Sequence, residues 1–238
     1  MIASNLTTKE IENHLDKCVL IPFGSFEQHG PYLPLITDAA IAEELSKKIE
    51  SELPNKTLLY PCLWLGDSME HKGFCGTLSM TAMTTMQMLL EMFQWINDTG
   101  FTRGILYNAH GGNVNLSATV CEEFSRANTF KIKSFFAFTD TVEKKTRELF
   151  GYSDAHAGSA ETSLLYALRP DLKKTPDTTI ENIEPFKGKF SYFQTKDLNN
   201  QGILNNENTI VIDSRKGLEL SKFMVLEGMN VVNKMLSF

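Results

Sequence analysis

The chain has 238 residues, a length that suits one hydrophobic core and predicts a single domain over 1–238. Apolar residues at 42% and charged residues at 22% are ordinary globular values, and a net charge of -6 argues against a polyanion-binding surface, so nucleic acid is not an expected partner. No apolar run nears the roughly 18 residues of a membrane span, and Met1 to Glu10 is too polar for a signal peptide, so the expectation is a cytoplasmic protein with no membrane partner.

Cys18 to Ile21 is an apolar run stopped by Pro22 and Gly24, the pattern of a buried strand that delivers a polar loop at its carboxyl end. A helix follows, with Thr37 as its cap and Ile41, Leu45, Ile49 and Leu53 recurring as the inward face until Pro54. A second strand is predicted over Thr57 to Leu65, then a long loop to Thr77. A Met-rich helix from Thr81 to Asp98 comes next, closed by Gly100, with Met83, Met86, Leu90 and Phe93 as its core stripe. A third strand, Gly104 to Tyr107, runs into Asn108 to Asn113, and a helix from Asn115 to Ala127 precedes a fourth strand at Ile132 to Phe138. Ala157 to Leu168 reads as a helix ended by Pro170, and the polar, irregular Asp171 to Gly202 as a surface excursion. An extended piece, Thr209 to Ile212, and an amphipathic helix, Leu218 to Leu236, finish the chain. Alternating elements predict the α/β class, a mostly parallel sheet with helices on both faces and ligands at the carboxyl ends of its strands. Cys18, Cys62, Cys75 and Cys121 form no CxxC pair and are expected to be buried or half-buried free thiols.

The polar loops at those strand ends carry the chemistry. Glu27, His29 and Asp38 lie within twelve residues of the first strand end. Carboxylate oxygens with imidazole nitrogens suit Zn²⁺, Mn²⁺ or Fe²⁺, and one carboxylate can bridge two ions. The bland alternative is a loop residue, an N-cap and a surface turn. His110 adds a ligand type at a different strand end, beside glycines that permit close backbone approach. In Asp154 to Ser163, either Ser153 or Asp154 is placed to cap the helix. Glu161 is a candidate ligand and His156 a candidate proton shuttle, which makes both candidate catalytic residues. Glu70 and His71, in the loop after the second strand, are candidate substrate contacts, with a solvated loop as the competing reading.

Three ordered motifs resemble the creatininase (creatinine amidohydrolase) family: Gly24-Ser25-x-Glu27-Gln28-His29-Gly30-Pro31 with Thr37-Asp38, Asn108-x-His110-Gly111-Gly112-Asn113, and His156-Ala157-Gly158-x-x-Glu161-Thr162-Ser163. Glu70-His71-x-Gly73-Phe74-x-Gly76-Thr77 belongs to the same resemblance, which runs from Ile21 to Gly217 and weakens between Asp171 and Gln201. It implies a three-layer α/β/α sandwich, a homo-oligomer of hexameric type and two divalent metals per chain. Glu27 and His110 are the implied ligands of one metal, His29 of the other, Asp38 the bridge and His156 the active-site histidine. Creatininases proper have His-Tyr-Glu where this chain has His110-Gly111-Gly112, so one familiar carboxylate ligand is missing and Glu161 is the expected replacement. The Gly-Gly version is more similar to the family's formylaminopyrimidine deformylase and cofactor-maturation peptidase branches.

The implied function is hydrolysis of a C–N amide bond, by metal-activated water, in a small cyclic or linear amide, formamide or short peptide. Two other classes compete. A metal-free nucleotide-binding module lacks both the GxxxxGK[ST] lysine and the GxGxxG spacing in Asn108 to Asn113. A catalytically degenerate metal-binding or scaffold member of the same fold is the stronger alternative, because Gly112 removes a ligand.

Overall fold

The computed structural model describes residues 1–185 and 194–237. After a one-turn helix α1 (Thr8–Ile11) come β1 (Cys18–Phe23), α2 (Thr37–Glu52), β2 (Thr57–Leu59), α3 (Ala82–Thr99), β3 (Arg103–Asn108), α4 (Val114–Ala127) and β4 (Lys131–Phe136). Then follow α5 (Asp140–Phe150), α6 (Ser159–Leu168), β5 (Thr179–Ile180), α7 (Thr195–Leu198), β6 (Ile210–Val211) and α8 (Ser214–Leu236). The first four strands make one parallel sheet in the order β2-β1-β3-β4, and β5 pairs antiparallel with β6.

β1 is buried along its whole length because both faces of the sheet are covered, which is why it reads as a continuous apolar run. Successive side chains still part to opposite faces. Cys18, Leu20, Ile105 and Tyr107 share a core with Ile41, Leu45 and Ile49 of α2, Leu164 of α6 and Leu220 and Met224 of α8. Val19, Ile21, Phe23 and Leu106 share another with Leu89 and Phe93 of α3 and Val120 and Phe124 of α4. The result is the three-layer arrangement, helices on both sides of a parallel sheet.

Several boundaries differ from expectation, each for a local reason. β2 stops at Leu59 rather than Leu65 because Pro61 has no N–H to give the ladder; Tyr60 and Leu63 still donate singly to Leu20 and Pro22. Thr37 is the first residue of α2 and not its cap, and its hydroxyl donates back to Pro34 O at 2.6 Å. The buried stripe of α3 is Thr85, Leu89, Phe93 and Ile96, while Met83 is 75% exposed and Met86 and Leu90 are half-buried. Helix α5 was not expected from the pattern: only Val142, Thr146 and Phe150 are buried in it, but Thr139 caps it and Gly151 closes it in the left-handed region. α6 begins at Ser159, two residues late, with Asp154 Oδ2 accepting from Ala160 N at 3.0 Å. α8 begins at Ser214, four residues early, capped by Asp213. Cys75 is exposed, against the expectation of buried or half-buried thiols.

The segment Asp171 to Gly202 is more than a surface excursion. Ile183, Thr195 and Asn199 are buried, and Thr195 reaches the strand-end loops. Residues 186–193 of that segment lie outside the described residues.

Candidate metal centre

From β1 the chain crosses to β2 on one side and later returns to β3 on the other, so the loops leaving β1 and β3 part where the strand order reverses. Parallel sheets open a ligand crevice at that point. Phe23 and Asn108 are register partners at the carboxyl ends, and Ala109 N donates to Phe23 O at 2.9 Å. The loop with Glu27 and His29 and the loop with His110 therefore leave the sheet side by side. Gly24 admits the first turn of α2, since a Cβ there would run into the backbone of Asp38 and Ala39. Asp38 is thereby set between the two loops, where Ser25 Oγ donates to its Oδ2 at 2.7 Å.

Buried amides fasten these loops. Asn108 accepts from His110 N at 3.0 Å and donates to His110 O at 2.7 Å. Asn113 donates to Gly24 O and accepts from Asp67 N, both at 3.0 Å, joining the loops that follow β1, β2 and β3.

Three imidazoles each commit one nitrogen to a backbone carbonyl: His29 Nδ1 to Glu27 O at 3.1 Å, His110 Nε2 to Asp67 O at 2.7 Å and His156 Nε2 to Gln28 O at 2.9 Å. A carbonyl only accepts, so those nitrogens carry protons and the opposite ones face inward. His29 Nε2 lies 3.1 Å from Asp38 Oδ1 and 3.7 Å from Glu161 Oε1. His110 Nδ1 is 2.8 Å from Asp38 Oδ2, and His156 Nδ1 is 3.8 Å from Glu27 Oε1.

Two ligand-like triads result, Glu27/Asp38/His110 and His29/Asp38/Glu161, each with one donor atom per residue within 4.8 Å of the others. Asp38 belongs to both. Two further groupings, Glu27/His29/His156 and Glu27/Glu70/His71, meet the same spacing and share Glu27. Both Glu27 oxygens are buried and neither accepts an aligned hydrogen bond, although His71 Nε2 stands 3.1 Å from Oε1 and His110 Nε2 3.3 Å from Oε2. A buried carboxylate without aligned donors is costly unless a cation complements it. The donor set, oxygens and imidazole nitrogens, suits a divalent metal of the zinc, manganese or iron type, so these residues fit one.

The electrostatics agree. Burial disfavours charge on every group here, but neighbours of opposite sign outweigh it for four of them. Glu27 is held below the usual carboxylate range by His110, and Asp38 well below it by His29 and His110. His29 is lifted well above its usual value by Asp38 and Glu161, and His110 to about 10 by Glu27 and Asp38. His156 goes the other way: burial, then repulsion from His29, hold its pKa well below the ordinary imidazole value. Glu70 and Asp154 are raised by burial, Asp154 to about 6.

All eight residues singled out in the sequence meet here. The loop after β2 is no solvated excursion, since His71 is 1% exposed and Glu70 Oε1 stands 3.5 Å from His110 Nε2. Gly112 explains how Glu70 comes so close: a Cβ at 112 would meet Glu70 Oε1, His110 Nε2 and Asp67 O. The space vacated by the missing carboxylate is thus partly filled by Glu70 from across the site, while Glu161, held by Ala157 N at 2.6 Å, completes the second triad. Sequence reasoning passed over Ser25, Gln28, Asn113 and Thr195 as site residues. Ser25 and Gln28 stood inside a motif, but Thr195 carried no local signal. A cavity of about 470 Å³ opens from the cluster, walled by Phe136, Phe138 and Val142 and rimmed by Glu143, Arg147 and Asn206.

The sequence profile described as "Creatininase: Creatinine amidohydrolase" matches residues 4–227. Among curated proteins, a mycofactocin precursor peptide peptidase from Mycobacterium ulcerans (strain Agy99) is 31% identical over 178 residues, 70% of this chain and 64% of that protein. The chain thus spans somewhat less than two thirds of the length of that relative. A 3-dehydro-scyllo-inosose hydrolase from Thermotoga maritima is 27% identical, over 70% of this chain and 55% of that one. Among solved structures, one titled "Creatininase Mn" superposes with a TM-score of 0.84 at 21% identity, covering 98% of this chain and 97% of the other.

Proposed function

Because this chain belongs to the creatininase family, we propose that it is a metal-dependent amidohydrolase that cleaves a C–N amide bond with two divalent ions held between its strand-end loops. The observation that carries the reading is the pair of triads sharing Asp38, built around a buried Glu27 carboxylate with no aligned hydrogen-bond donor. Glu27, Asp38 and His110 would hold one ion, and His29, Asp38 and Glu161 the other. Such ions lower the pKa of water and polarise a carbonyl, the two requirements of amide hydrolysis at neutral pH. Glu161 takes the place of the carboxylate absent at Gly112, which favours an intact centre over a degenerate one.

His156 supplies the remaining chemistry. An amide nitrogen leaves only once protonated, and His156 Nδ1 faces the centre while its Nε2 is anchored on Gln28 O at 2.9 Å. Burial beside His29 keeps the ring neutral, with Nδ1 ready to take a proton from water and pass it to the leaving nitrogen. Glu70 lines the cavity and is placed to hydrogen-bond substrate.

The substrate reading is a linear amide, a short peptide or formamide, rather than creatinine. The cavity of about 470 Å³ lies within the range of sites for drug-sized ligands, and its Phe136 and Phe138 wall suits an apolar group beside the scissile bond. The peptidase relative points the same way. Zinc, manganese and iron all suit the donors; a cytoplasmic location and a homo-oligomer of hexameric type complete the proposal, and no helix of the described residues is long and apolar enough to cross a membrane. The test is a turnover screen of the metal-loaded protein on short peptides, formamides and cyclic amides, with creatinine included. Turnover of a linear amide supports the reading; efficient turnover of creatinine alone would contradict the substrate class, and no hydrolysis of any amide the activity.

A further inference from the structure

Gln28 sits between two imidazoles, and its amide orientation is fixed twice over by backbone. Gly30 N donates to Oε1 at 3.0 Å, and Nε2 donates to Gly202 O at 2.9 Å. One amide hydrogen remains for two neighbours, His71 Nδ1 at 2.9 Å and His156 Nε2 at 3.0 Å. His156 Nε2 already carries a proton, because it donates to Gln28 O. The free hydrogen therefore goes to His71 Nδ1, which must be bare to receive it. Thr195 Oγ1, 3.0 Å from the same nitrogen, is a rotatable hydroxyl that accommodates this state.

We propose that Gln28 is a positioning residue that locks His71 as the Nε2–H tautomer, so that His71 faces Glu27 as a proton-bearing partner and is not a metal ligand. This rests on the two-metal reading above. It divides the four histidines of the site by work. His29, His110 and His156 turn inward the nitrogen on which a metal can replace a proton, because backbone carbonyls hold their other protons. His71 turns a proton-bearing Nε2 toward Glu27, 3.1 Å from Oε1 though off the line of a hydrogen bond, because a side-chain donor holds its other nitrogen bare. Its N–H adds positive potential beside the carboxylate that serves the first ion. The grouping Glu27/Glu70/His71, though close enough for an ion by spacing, is excluded by that proton.

The chain has five histidines, so ring ¹⁵N NMR resolves each tautomer. The experiment records the full-length protein without metal and loaded with Zn²⁺, together with Gln28→Leu, Gln28→Glu and Thr195→Val. In the wild type His71 keeps a protonated Nε2 in both states, while His29 Nε2 and His110 Nδ1 shift on zinc addition. Gln28→Leu and Gln28→Glu populate the Nδ1–H form of His71 and weaken zinc binding by about 10–100-fold, the scale of groups that orient ligands. Thr195→Val leaves the tautomer unchanged. A zinc-bound Nε2 or a protonated Nδ1 at His71 in the wild type overturns the proposal, as does an unaltered tautomer in both Gln28 variants. If no zinc binds, the metal centre falls while the metal-free spectra still decide the tautomer.

Discussion

His156 and Glu161 sit five residues apart at one helix start, yet geometry gives them different work. Glu161 belongs to a triad with His29 and Asp38, whereas His156 has one nitrogen on a backbone carbonyl and the other 3.8 Å from Glu27. His156→Ala should retain the metal complement and lose about 10²–10⁴-fold in turnover, the usual scale for a general acid–base group. Loss of an ion from that variant would instead make His156 a ligand, through the Glu27/His29/His156 grouping. Gly112 offers a second check at this scale. A methyl at 112 has no room between Glu70 Oε1, His110 Nε2 and Asp67 O. Gly112→Ala should displace His110 and reduce occupancy of the Glu27/Asp38/His110 triad selectively, read as a drop toward one ion per chain. Unchanged occupancy would show that Glu70 swings aside without disturbing His110.

At the scale of elements, function depends on three loops arriving together. Asn113 ties them through Gly24 O and Asp67 N, and it is fully buried. Asn113→Ala orphans both groups, so it should cost about 1–3 kcal/mol by urea denaturation. A change within a few tenths of a kcal/mol would mean that water replaces the amide. The strand-to-loop junctions were legible in the sequence because apolar runs ended in Gly, Pro and polar residues, and this exposed Glu27, His29, Asp38 and His110. Other parts were not. The α3 face was misplaced because apolar residues surround the helix, and the true stripe includes Thr85 while Met83 faces solvent. α5 escaped notice because most of its residues are polar or charged and three are buried. Thr195 lies in a polar stretch yet is buried and meets His71, 124 residues away, a contact no local pattern records.

At the scale of the molecule, the metal centre and stability are linked through protons. His110 is raised to about 10 from its usual 6.5, and His29 is raised as well, so between those values these two groups hold more protons in the metal-free fold than in the unfolded chain. That contribution is present below pH 6.5 and is lost as pH rises through about 10. The metal-free protein should show a Tm that falls across this window, whereas ions that replace the protons should flatten the profile. Identical profiles with and without chelator would contradict the linkage. The shared carboxylate is the centre of the site, because its two oxygens face the two histidine ligands, Oδ1 toward His29 and Oδ2 toward His110. The most direct measurement is the metal content, by elemental analysis, of the purified protein beside Asp38→Ala and Glu161→Ala. Close to two ions per chain are expected in the parent, with loss of both in Asp38→Ala and of one in Glu161→Ala; a full complement in Asp38→Ala would contradict the shared carboxylate.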